Sequence, residues 1–161
     1  MEIIQVFIVI LRKRKGNIME SETVELLKEC NSGCKMARNS MEQILEYIKD
    51  PKQADIINAY ERKHQEIENK ISELLMKNGE IKESPSLMAS AMSWFTTEMK
   101  MSLHNNGKQA AKIMMDGCNM GIQSVTEYIN KNQSASKESI QLAKDLVKIE
   151  EEFMQEMKQF L

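Results

Sequence analysis

The stretch from Ala54 to Leu75, ADIINAYERKHQEIENKISELL, constrains the chain more than any other part. Its apolar residues Ile57, Tyr60, Ile67, Ile71 and Leu74 recur at the spacing of one face of an α-helix. His64 stands inside that stripe, where a leucine would be expected. Glu61 lies three residues earlier on the same side, since i and i+3 are neighbours on a helix. The spacing aims a Glu-x-x-His pair at the interior of a helical bundle, where a carboxylate and an imidazole from one helix can reach the same metal ion.

The rest of the chain supplies partners for such a helix. Leu, Ile, Met, Lys, Glu and Gln dominate, with only two prolines and six glycines, a composition that favours helices over a sheet sandwich. A length of 161 residues argues for one domain. A chain of this size buries roughly two thirds of its unfolded surface and needs no disulfide staples. Its 22 basic and 24 acidic residues are interspersed, and the net charge of −2 gives no reason to expect nucleic acid or an acidic membrane as partner. Cys30, Cys34 and Cys118 are an odd number, which argues against a secreted disulfide framework and for free thiols in a reducing cytoplasm.

Residues 1–20 read as an extension outside the bundle, with the bundle itself at 21–161. Ile3 to Leu11 is apolar and Arg12 to Lys15 is basic. About nine apolar residues cannot span a bilayer, so no stable membrane insertion is expected. The order of basic and apolar regions is the reverse of a signal peptide. A short membrane-surface anchor is one reading; a start codon assigned too early, with Met19 as the biological start, is the preferred one. Ser21 then caps a first helix, Glu22 to about Lys49, with the stripe Val24, Leu27, Cys30, Cys34, Ala37, Met41, Ile44 and Ile48.

Asp50-Pro51 opens a second helix that Asn78-Gly79 closes. A further helical run, Ser86 to Leu103 with Trp94 and Phe95, reads as a crossover between the two halves of an up-down bundle. The third helix, Lys108 to Asn130, carries Met114, Cys118 and Val125 inward. The fourth starts at Lys137 behind the candidate cap Ser136, and Glu150 is the one acid on its apolar stripe.

An internal repeat links the first and third helices. Residues 33–48, GCKMARNSMEQILEYI, and 117–129, GCNMGIQSVTEYI, share Gly-Cys-x-Met, a serine at the same offset and Glu-Tyr-Ile. The second and fourth helices then correspond as well, which sets Glu61-x-x-His64 against Glu150-x-x-Phe153. Cys34 and Cys118 become equivalent positions, expected to approach each other near the bundle axis.

With ELLKECNSGCK in the first helix, SWFTTEMKMSL before the third, MDGCNMG within it and the Glu61-x-x-His64 pair, the chain from Leu26 to Leu161 resembles the ferritin-like four-helix-bundle family of unknown function called DUF2383. The resemblance implies an all-α, ferritin-like up-down bundle with an additional crossover helix between helices two and three. It also implies carboxylate ligands from helices one and three, where this chain has Cys34 and Cys118. Of the two-carboxylate, two Glu-x-x-His set, Glu61, His64 and Glu150 remain. Two thiolates do not reproduce the hard-oxygen environment of two bridged irons.

The candidate metal residues are therefore Glu61, His64, Glu150, Cys34 and Cys118, for zinc or a single iron. The competing reading has His64 as a core histidine bonded to Glu61, Glu150 or Tyr60, and the cysteines as small buried hydrophobes. The functional expectation is a ferritin-like bundle of unassigned role that holds one metal at its centre. The alternatives are a metal-free structural or interaction protein, such as a stress- or spore-associated component, and, third, a di-iron oxidase. The missing ligands lean against an enzyme, and the sequence is compatible with a homo-oligomer.

Overall fold

The computed structural model describes residues 2–79, 100, 102, 103 and 106–161. Among them every regular element is helical: α1 (Glu2–Leu45), α2 (Pro51–Lys77), α3 (Gly107–Lys131) and α4 (Lys137–Met157), with a closing 3₁₀ turn at Lys158–Phe160. No helix among them is long and apolar enough to cross a membrane. The expected crossover helix around Trp94 lies outside the described residues, apart from residues 100, 102 and 103, where Leu103 is fully buried.

The helix starts follow local capping chemistry. Asp50 accepts from the backbone N–H groups of Lys52 and Gln53, and Pro51 takes the first helical position, where its missing N–H costs nothing. Asn106 caps α3 through Gln109 N–H, and Ser136 caps α4 through Ser139 N–H. Gly79, at φ 77°, ends α2 in the left-handed conformation that glycine adopts without Cβ strain. The first helix departs from expectation at both ends. It starts at Glu2, so Ser21 is not a cap but an exposed position inside a continuous helix, and it stops at Leu45, short of Lys49. No proline interrupts residues 2–45, and Gly16 and Gly33 cost only about 1 kcal/mol each.

Contacts fix the chain directions. Lys35 meets Glu68 and Arg38 meets Glu61, while Tyr60 meets Phe153 and His64 meets Glu150, so α2 runs antiparallel to α1 and to α4. Glu25 pairs with Lys131 and Glu29 with Ser124, so α3 also runs antiparallel to α1. Gln53, in the first turn of α2, hydrogen-bonds the Gly107 carbonyl at the start of α3. The end of α2 and the start of α3 therefore lie at opposite ends of the bundle.

The core has two layers. One gathers Leu26, Leu27, Cys30, Cys34, Ile71 and Leu146; the other gathers Met41, Ile57, Tyr60, Met114, Cys118 and Phe153. Cys34 belongs to the first group and Cys118 to the second. All three cysteines are free and buried.

Candidate functional site: a buried histidine–glutamate pair beside a glycine-walled groove

His64 is fully buried, and both ring nitrogens are engaged. Nδ1 lies 2.7 Å from the Tyr60 carbonyl oxygen, one turn back on α2, and Nε2 lies 2.9 Å from Glu150 Oε1 on α4. A carbonyl can only accept, so Nδ1 carries a hydrogen. Nε2 then either donates to an ionised Glu150 or accepts from a protonated one. In both arrangements the pair holds one further proton and is neutral overall. Burial alone would pull the imidazole down, but the hydrogen bond and charge of Glu150, the Tyr60 carbonyl and the charge of Glu61 outweigh it and hold the proton above the ordinary histidine value.

Glu61 does not join this pair through a hydrogen bond, contrary to the i, i+3 expectation. It accepts from Arg38 Nε at 2.7 Å, while Arg38 Nη1 reaches Glu68 at the same distance. A planar guanidinium presented from α1 offers charge-assisted donors that a neutral approach to His64 cannot match. Arg38 and Glu68 were missed from sequence. One signal existed: in the repeat, Arg38 occupies the position of Ile122, a charge where the other copy is apolar.

The thiols flank Glu150. Burial, then the charge of Glu150 and a hydrogen bond to it, push Cys118 far up; burial, then the charges of Cys30, Glu150 and Glu68, push Cys34 well up. Cys30 is pushed up to about 12, again chiefly by burial. Among the five expected ligands, His64 bonds Tyr60 and Glu150, and Glu61 bonds Arg38. Among the described residues no three His, Cys, Asp or Glu side chains are grouped so that they could hold a metal ion.

Beside the pair, α1 and α3 do not close on each other. A groove of about 250 Å³ runs between them, with Glu150 and Phe153 of α4 at its base. Its two walls are the two copies of the repeat, position for position: Gly33 and Gly117, Met36 and Met120, Ala37 and Gly121, Ser40 and Ser124. These are the i, i+3, i+4 and i+7 positions of one helical face. A Cβ on Gly33 would meet nothing within 4 Å, and one on Gly121 would meet Glu150 Oε1 at 3.4 Å. The small residues thus leave space open on one wall and admit the Glu150 carboxylate close to the other. Sequence analysis found the repeat but not its use, because repetition does not say which face of a helix stays unfilled.

Comparison with protein-family models, with curated proteins and with solved structures yields no match to this chain.

Proposed function

We propose that the protein is a non-catalytic binding bundle whose groove between α1 and α3 receives a small, largely apolar molecule. The observation that carries this reading is the pairing of the two repeat faces across an open groove rather than against each other. Its volume, about 250 Å³, is close to the lower end of small-ligand sites, roughly 300 Å³, and its lining has their character: mostly apolar, with a few polar groups. The neighbouring His64–Glu150 pair is internally neutral, and its polar atoms bond each other and the Tyr60 carbonyl.

The chain directions also support the proposal of a ferritin-like arrangement. The first two helices are antiparallel, and the third starts beside the beginning of the second, an order that needs a connection crossing the bundle. In this reading the DUF2383 resemblance stands for the scaffold, with its metal centre replaced by the His64–Glu150 pair and a binding groove.

Calorimetric titration with n-octanol tests the function. One saturable site per chain, lost in Gly33→Leu while the variant melts as cooperatively as the parent, is the expected result. Octanol uptake that Gly33→Leu leaves unchanged, or no uptake, overturns it.

A further inference from the structure

Resting on that reading, we infer that the groove selects an aliphatic ammonium: an unbranched alkyl chain carrying a protonated amine at one end. Among the described residues two carboxylates line the groove, Glu29 and Glu150, and no lysine, arginine or histidine does. Their roles differ. Glu150 is 6 % exposed and already neutralised by His64, so the base of the groove presents no net charge to a ligand. Glu29 is half-buried, and its Oε1 accepts from the Ser124 hydroxyl of the opposite wall at 2.5 Å. That bond fixes a carboxylate across one end of the groove, next to the hydroxyl-bearing Ser32.

The other end is apolar, closed by Met41, Met114 and Phe153, all nearly fully buried. From Glu29 to Met41 the helix rises roughly 18 Å, at 1.5 Å per residue, so the groove is elongated along the bundle. An elongated apolar channel with an acid at its more exposed end suits an amphiphile that enters tail first. The tail passes Glu150 and lies among methionines, whose unbranched side chains adapt to a flexible chain. The ammonium stays at the mouth, where Glu29 pairs with it at a smaller desolvation cost than burial at the base would impose. A fatty carboxylate of the same length would set like charges together at the same place and is rejected.

The experiment compares n-octylamine, n-octanol and octanoate by calorimetry on the full chain, at low salt and neutral pH. The expected order is octylamine about ten-fold tighter than octanol, with octanoate weakest. Glu29→Gln is expected to remove the preference for octylamine over octanol, both measured on that variant, and Gly33→Leu to abolish binding of all three. Octanol bound with octylamine no tighter, or a preference for octylamine that survives Glu29→Gln, overturns the ammonium inference and leaves the binding function standing. Octylamine uptake unaffected by Gly33→Leu is binding to the acidic surface and also overturns the inference. Absence of binding by all three probes overturns the inference and the function together.

Discussion

Glu150 Oε1 on α4 and His64 Nε2 on α2 are 2.9 Å apart, and they meet between the two layers of the core. Because the Tyr60 carbonyl fixes the other ring nitrogen as a donor, the pair joins two helices through a hydrogen bond that holds one further proton.

That proton makes stability depend on pH. The folded protein holds His64 above its ordinary value of 6.5, so the native state binds the proton more tightly than the unfolded chain. The stabilisation is complete below about 6.5 and is lost as pH rises through the raised folded value. Urea unfolding at intervals across roughly pH 6 to 9 is expected to show stability falling as pH rises. The double variant His64→Leu/Glu150→Leu should lack that slope.

Removing one partner should cost far more than removing both. His64→Leu leaves a buried carboxylate without its cation and should lose about 3–5 kcal/mol. His64→Leu/Glu150→Leu replaces the pair by packing and should recover most of that loss. A double-mutant cycle on denaturant midpoints is the measurement, and the two single losses should not add.

Arg38 is the tie between α1 and α2. Arg38→Met strands Glu61 and leaves Glu68 with only the longer Lys35 contact, the two side chains being 18 % and 14 % exposed, and should cost about 1–3 kcal/mol. Arg38→Lys should recover only part of it, since one ammonium cannot present the fork that spans two carboxylates. Thermal unfolding resolves this as a shift of roughly 2–4 °C per kcal/mol for a chain of this size.

Two glycines should respond in opposite directions to alanine. At Gly107 a Cβ would stand 2.6 Å from Gln53 Oε1, so Gly107→Ala must displace a fully buried glutamine that bonds the Gly107 carbonyl, a loss of about 1–2 kcal/mol. At Gly33 nothing lies within 4 Å, and Gly33→Ala in mid-helix should gain up to about 1 kcal/mol. Chemical denaturation of the two variants side by side checks the contrast.

The cysteines should be silent in the folded protein. Cys30, Cys34 and Cys118 are buried, and burial pushes each thiol upward, so little thiolate is present at neutral pH. Modification by a thiol reagent should proceed at the rate of unfolding and become rapid only in denaturant.

The sequence by itself determined α2, α3 and α4, and the caps Asp50 and Ser136. Asp50-Pro51, Asn78-Gly79 and Ser136 act on the adjacent backbone, and the apolar spacing of Ile57, Tyr60, His64, Ile67 and Ile71 describes one helix face whatever packs on it. It also determined that His64 and Glu150 face inward, since each falls on an apolar stripe. It did not determine where the first helix starts, because Ser21 has capping chemistry but nothing upstream breaks the helix.

Only the tertiary structure decided the partners. Glu61 and His64 share a helix face, yet Arg38 from α1 claims Glu61 while Glu150 from α4 claims His64, because oppositely directed helices bring those groups within hydrogen-bond distance. The antiparallel crossing of α1 and α3 likewise sets the repeated glycine-bearing faces on the two walls of one groove. A repeat in sequence specifies equal faces. Whether they pack shut or leave a groove is settled by tertiary packing, here with Glu150 and Phe153 of α4 between them.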